Sequence, residues 1–275
     1  MTVSYKKARQ FIYQNGSLWE KALFRYLFED GPISHFHQAL SCYKNADSGF
    51  GHGFEYDIKC PDSNPLALEF MLSVFRDTRV PAGDTFVGSA DWVVDNQKED
   101  GSLLNPANLL DYPHAPWWSG GGQTIPASIT GNLIRLGLSS DKLQENTAKW
   151  TKENLSFEQI TKTDWLFMNY HAIDYYTNVP QTKEHKALKQ TAIDQVIKCA
   201  SVAPEKQYFT YFQLASTPES EIAKATPDHL IEKFLNYLEA AQREDGGWDD
   251  EHGLTYWQSY FSIVILLTLR NYGRV

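Results

Sequence analysis

Three stretches of this chain gather residues able to move a proton or hold a ligand. Gly49 to Asn64 reads GFGHGFEYDIKCPDSN and offers His52, Glu55, Asp57 and Asp62. Residues two apart in an extended segment point to one face, so Glu55 and Asp57 would form paired carboxylates able to share a proton or hold a cation. Asp62 fits a helix cap, because a helical pattern begins near Asn64. Lys98 to Gln123 contains DYPHAPWWSGGG, with Asp111, His114, Trp117 and Trp118. Two adjacent tryptophans behind a histidine, flanked by Pro and Gly, make a stiff aromatic ledge. Such a ledge can stack on a sugar, stabilise a carbocation through its π faces, or cover the core. Asp245 to Gly253 reads DGGWDDEHG, and its Asp249, Asp250, Glu251 and His252 read as a solvated acidic turn.

A fourth set lies on a helical pattern. Asn169, Tyr170, His171, Asp174 and Tyr175 are polar or amphipathic where a buried helix should be apolar. In a dry core these groups would be costly, so they imply a wet cavity. The expected catalytic residues are Asp57, Glu55 and His114. The expected ligand-binding residues are His52, Asp111, Trp117, Trp118, Tyr170, His171 and Trp257. No metal-ligand set stands out, and the sequence names no cofactor.

The elements that must position these residues show a repeat. Leu40 to Phe50, Val93 to Leu103 and Leu238 to Trp248 align without gaps. Each reads apolar, three residues, long polar (Lys44, Gln97, Gln242), two residues and Asp (Asp47, Asp100, Asp245), two small residues, then a bulky apolar one. Lys44 and Gln97 are 53 residues apart, and Gln97 and Gln242 are 145 apart, about three steps of 48. Degenerate copies are expected near Asn154 and Ala203. A period of this length suits a helical hairpin with generous loops.

Helical patterns run through residues 4–14, 17–28, 33–44, 64–76, 84–97, 124–137, 141–153, 165–177, 183–200, 207–217, 227–243 and 255–271. Breakers such as Gly16, Gly31-Pro32, Pro81, Gly137, Pro180, Pro204 and Pro218 fall at or near the joints. Twelve helices in six pairs predict an all-α domain over residues 1–275. The first member of most pairs is amphipathic, with Phe234, Leu235 and Leu238 opposite Glu232, Lys233 and Glu239. The second is apolar around its circumference, as in Tyr256 to Leu269. Polar-faced helices outside and apolar helices inside describe an (α/α)6 toroid, six hairpins closed into a double ring. The long loops all lead from an outer to an inner helix, so they share one mouth of a central cavity. The other mouth has short joints, such as Asp77 to Gly83 and Gly137 to Ser140.

Gln242-Arg-Glu-Asp-Gly246-Gly247-Trp248, preceded by Tyr237-Leu238, resembles the QW repeat of terpenoid cyclases and protein prenyltransferase β-subunits. The resemblance implies their α-α toroid and an isoprenoid-type ligand in the central cavity, with acid-initiated cyclisation. The middle copy lacks the aromatic residue and the first lacks the Gln. The cyclases' Asp-x-Asp-Asp and Asp-Asp-x-x-Asp motifs are absent, and the spacing of Asp57 and Cys60 departs from the prenyltransferases' zinc set. The repeat itself reads as structural: the long side chain bonds backbone in the turn, the small pair relaxes backbone angles, and the last residue plugs the core.

Composition narrows the classes. A net charge of −9 argues against nucleic acid or an anionic membrane as the main partner, and 14% aromatic content favours an aromatic-lined cavity. Cys42, Cys60 and Cys199 are sparse and unpaired in spacing, no apolar leader follows the first lysines, and Ile263 to Leu269 is too short to span a bilayer. These features predict a cytoplasmic protein with a small-molecule ligand and leave its oligomeric state open. A carbohydrate-active hydrolase or lyase using two carboxylates and Trp stacking is the alternative, and a non-catalytic binding module a third.

Overall fold

The computed structural model describes residues 3–118 and 123–275; Ser119 to Gly122, the end of the expected Trp117–Trp118 ledge, lie outside the described residues. Among the described residues the architecture is helical. The helices are α1 (Tyr5–Asn15), α2 (Leu18–Phe28), α3 (Ile33–Ser41), α4 (Pro65–Thr78), α5 (Ser89–Asn96), α6 (Pro126–Arg135) and α7 (Asp141–Asn154). They continue as α8 (Phe157–Lys162), α9 (Tyr170–Asn178), α10 (Lys183–Val202), α11 (Tyr208–Leu214), α12 (Glu221–Ala225), α13 (Asp228–Ala240) and α14 (Gln258–Asn271). Each of the twelve sequence patterns overlaps one of these, and the short α8 and α12 are additions. One two-residue antiparallel ladder, β1 (Leu103–Leu104) on β2 (Gln123–Thr124), ties the second loop. No helix among the described residues is long and apolar enough to cross a membrane.

Local chemistry explains where the helices start. Ser4, Asn64 and Ser140 cap α1, α4 and α7 by accepting from the amides of Lys7, Ala67 and Leu143. Pro65 and Pro126 occupy first-turn positions, where a missing N–H costs nothing. Asn64, not Asp62, is therefore the cap of α4, and the Asp62 carboxylate bonds the Asn108 amide instead. Burial alternates along the chain. Helices α1, α7 and α13 bury one stripe each, for example Ala8, Phe11 and Ile12 on α1. Helices α4, α9 and α14 are buried almost all round.

The chain forms two compact units. One comprises Met1–Ala39, Asp164–Phe167 and Ile193–Val275; the other comprises Leu40–Thr163 and Met168–Ala192. In the first unit α14 packs against α1, α2, α11 and α13, around the rings of Trp19, Phe36 and Tyr260. In the second, α6 is central and packs against α4, α7 and α9. Its contact with α9 is close enough that a Cβ on Gly131 would lie 2.1 Å from the Asp174 carbonyl, so only glycine fits there.

The three repeated segments fold into congruent turns. Asp47, Asp100 and Asp245 each accept, through Oδ1, the amide two residues on, at 3.0, 2.9 and 3.0 Å. The next residues, Ser48, Gly101 and Gly246, take φ values of 71°, 84° and 97°. Phe50, Leu103 and Trp248 then plug the core, each at most 1% exposed. The long polar side chain reaches beyond its own turn. Lys44 Nζ donates to the carbonyls of Thr85 and Val87, just ahead of α5. Gln97 Nε2 donates to Gly101 O and to Thr147 Oγ1 on α7, while Gln242 Nε2 donates to Gly246 O and to Ser4 O at the head of α1. No such turn forms at Asn154 or Ala203, where the Asp-small-small chemistry is missing and Ser156 and Pro204 start new helical turns.

Candidate functional site

The second unit carries two adjoining groups of chemically able residues. The first is built by the two long loops. Ile58 pairs antiparallel with His114, Lys59 N donates to Pro113 O, and Ala115 N donates to Asp57 O, so the loops run side by side. This brings Asp57, His114 and Trp117 into one neighbourhood. Trp117 Nε1 donates to Asp57 Oδ2 at 3.1 Å, and the indole stays 52% exposed. Trp118 turns the other way and packs with Tyr112 on Ile58, Cys60, Leu66 and Leu109. The two tryptophans thus do not form one ledge.

Glu55 departs from the expected geometry. The loop turns at Glu55–Ile58 instead of running extended, and Glu55 Oε2 accepts the amide of Asp57 at 2.8 Å. The two carboxylates are therefore not presented side by side; Glu55 is folded beneath its own loop. Its burial, then the Asp57 charge, push its carboxyl well above the ordinary carboxylate range. His114 Nδ1 donates to Tyr112 O at 2.8 Å, since a carbonyl can only accept. His52 Nε2 contacts Asn45 Oδ1, and Asp111 is exposed.

The second group was not evident among the loops. It centres on Glu69 of α4, with Tyr170, His171 and Asp174 of α9 and Ser128 and Asn132 of α6. Asp174 Oδ2 accepts from Arg76 Nη1, Ser128 Oγ and Asn132 Nδ2 at 2.8, 2.8 and 2.9 Å. Arg76 Nε also donates to Asp77 Oδ1, so its charge is shared between two carboxylates. The Glu69 carboxyl bonds the hydroxyls of Tyr170 and Ser128. Burial, helped by the Asp174 charge, raises this carboxyl to about 8, although the Tyr170 and Ser128 hydroxyls and the Arg76 charge oppose it. Burial, with help from the Arg76 charge, lowers His171 to about 3, so its ring is neutral. Burial and the neighbouring Glu69 also push the Tyr170 hydroxyl well above its ordinary range.

Two polar atoms of this centre are left over. Glu69 Oε1 and His171 Nδ1 stand 3.5 Å apart, and among the described residues neither has a hydrogen-bond partner. A buried polar atom without a partner costs about 1–3 kcal/mol, and such atoms are few in folded proteins. The Glu69 side chain as a whole keeps 11% exposure. Phe70, next to Glu69, packs against Phe54 and Tyr56 on either side of Glu55, so the first loop lies against α4 here. The sequence did carry a signal for Glu69: it is the one charge in the apolar run Leu66 to Phe75.

Trp257 lies in the other unit, where its ring stacks on Phe261 at 5.7 Å and Phe261 meets Phe209 at 4.5 Å. The acidic turn beside it is structural. Asp249 Oδ1 accepts from Arg243 and Gln258, and Asp250 Oδ2 accepts the amides of His252 and Leu254. In the second unit an open groove is lined by Asp47, Asp62, Asp91, Asp95 and Trp92, but both Asp47 oxygens are spent on Gly49, Ser63 and Trp92. Among the described residues no group of three or more His, Cys, Asp or Glu is placed to hold a metal ion.

Chemically, the Glu69 centre can donate a proton from a neutral carboxylic acid and accept one on a neutral imidazole. No family model matches the chain, and no curated protein matches it.

Proposed function

We propose that this chain is an α-α toroid of the terpenoid-cyclase and prenyltransferase type that takes an uncharged, isoprenoid-type small molecule and carries out acid-initiated chemistry, with Glu69 as the acid. The observation that carries the reading is the Glu69 carboxyl, held protonated at neutral pH among Tyr170, Ser128 and His171. A proton donor of this kind suits a substrate with no charge of its own. The alternation of striped and fully buried helices supports six hairpins in a double ring, as does the tie between Gln242 and Ser4. In this reading Asp57, Glu55, His114 and Trp117 line the way in, and the sparse Cys42, Cys60 and Cys199, none in a disulfide, fit a cytoplasmic protein.

A carbohydrate-active enzyme is the second reading, favoured by the exposed Trp117 face pinned beside Asp57. Mass spectrometry of the ligand retained through purification separates the two. An apolar terpenoid-like mass, lost in Glu69→Gln, supports the first; an oligosaccharide, lost in Trp117→Ala, replaces it with the second.

A further inference from the structure

We infer that Asp30, at the joint between α2 and α3, is where the folded chain converts aspartate to isoaspartate, while its two other Asp–Gly junctions are held in the aspartyl form. The three junctions are Asp30–Gly31, Asp100–Gly101 and Asp245–Gly246. Glycine after aspartate favours this rearrangement because no Cβ keeps the carboxyl away from the next backbone nitrogen. The glycine nitrogen attacks the aspartate Cγ, a C–N bond forms, and the carboxyl OH leaves with the amide proton as water. The five-membered imide then takes up one water. Opening at the side-chain carbonyl restores aspartate, whereas opening at the backbone carbonyl routes the chain through the β-carboxyl. No atom is gained or lost overall.

On the nitrogen side the three junctions are alike. The amides of Gly31, Gly101 and Gly246 donate to the carbonyls of Arg25, Lys98 and Arg243 at 3.0, 2.9 and 3.0 Å. On the carboxyl side they differ. Asp100 Oδ1 accepts from the Ser102 amide and hydroxyl at 2.9 and 2.6 Å. Asp245 Oδ1 accepts from the Gly247 amide and, together with Oδ2, from the Arg243 guanidinium. Each carboxylate must give up these bonds to reach its glycine. Both turns are also pressed against a neighbouring helix. A Cβ on Gly101 would meet Asn146 of α7 at 2.1 Å, and one on Gly246 would meet Lys7 of α1 at 2.2 Å. Asp30 is differently placed. It is exposed, holds a left-handed φ of 52°, and its carboxylate has no hydrogen bond or ion pair among the described residues. The atoms nearest a Cβ on Gly31 belong to Arg25 of α2, the helix that this joint ends. The product carries one extra backbone methylene beside Glu29, whose carboxylate holds Arg9 and Tyr13 of α1.

Incubation of the folded chain at neutral pH, then proteolysis and electron-transfer dissociation mass spectrometry, counts isoaspartate at each junction. Asp30 is expected to carry at least about tenfold more than Asp100 or Asp245, the effect of one charge-assisted hydrogen bond that each of those must break. In urea, where the turns are gone, the three junctions should converge. Arg243→Ala should raise isoaspartate at Asp245 several-fold and leave Asp30 as it was. Ser102→Ala, a smaller change that serves if the arginine variant fails to fold, should do the same at Asp100. Equal conversion at all three junctions of the folded chain would overturn the inference, as would a folded chain that keeps Asp30 intact while the urea-treated chain converts it. A difference that persists in urea would overturn it too, by placing the cause in local sequence.

Discussion

Gln242 and Ser4 exchange two hydrogen bonds: Ser4 N donates to Oε1 at 2.7 Å, and Nε2 donates to Ser4 O at 3.1 Å. Ser4 also caps α1, so one residue serves both the first helix and the last repeated turn. Gln242→Ala removes both bonds and the one to Gly246, and should lower stability by about 1–3 kcal/mol. Gln242→Glu keeps the acceptor and loses the donor, and should fall between. Urea denaturation measures both; an unchanged midpoint in Gln242→Ala would show that the tie contributes nothing.

The turn positions with positive φ make opposite predictions. At Gly101 and Gly246 a Cβ would lie 2.1 Å from Asn146 O and 2.2 Å from the Lys7 carbonyl carbon. Alanine at either site meets both this clash and a left-handed backbone, so a loss greater than about 2 kcal/mol is expected. Ser48 holds φ 71° without being glycine, and Ser48→Gly should gain about 1 kcal/mol. Thermal melts of the three variants suffice, and a destabilised Ser48→Gly would contradict the strain argument.

The buried acid and imidazole shape the pH dependence of stability with opposite signs. Glu69 rises from 4.5 to about 8 on folding, so between those values the folded chain binds more protons and stability falls as pH increases. His171 falls from 6.5 to about 3, so between those values the unfolded chain binds more protons and stability rises with pH. The two slopes cancel between 4.5 and 6.5. Wild type minus Glu69→Gln should therefore decline between pH 4.5 and about 8, and wild type minus His171→Phe should rise between about 3 and 6.5. Denaturant midpoints from pH 3 to pH 9 read this out, and parallel curves would refute it.

The Arg76–Asp174 pair is buried and the Lys162–Glu158 pair is not. Asp174→Ala leaves Arg76, Ser128 and Asn132 without a shared acceptor and should cost about 3–5 kcal/mol. Glu158→Gln should leave the melting temperature unchanged, since solvent and salt screen that pair. Equal shifts would mean that burial is not what distinguishes them.

Much of the helical layout was legible because amphipathic period and breakers are local. The repeated turns were legible for the same reason: an Asp followed by two small residues folds onto its own backbone, as Asp47, Asp100 and Asp245 all do. The neighbourhood of Asp57, His114 and Trp117 could be anticipated from loop length and placement. The inward turn of Glu55 could not, because period two applies only if the segment is extended. Glu69 was overlooked for a different reason. Its own sequence shows one charge in an apolar helix, and its meaning comes from Ser128, Tyr170 and His171, which are supplied by α6 and α9.

The three anchored turns also differ in when they can form. Lys44 finds Thr85 41 residues on and Gln97 finds Thr147 50 residues on, but Gln242 must find Ser4 across 238 residues. The longest of these closures costs about 1.4 kcal/mol more chain entropy than the 50-residue one. The first two contacts can be made while a ribosome is still extending the chain. The third waits until Gln242 has been made, so α1 stays without its last-turn partner until then. Refolding of the intact chain should show this as a late phase that reports on Ser4 and Gln242, after the turns at Lys44 and Gln97 are already protected from hydrogen exchange.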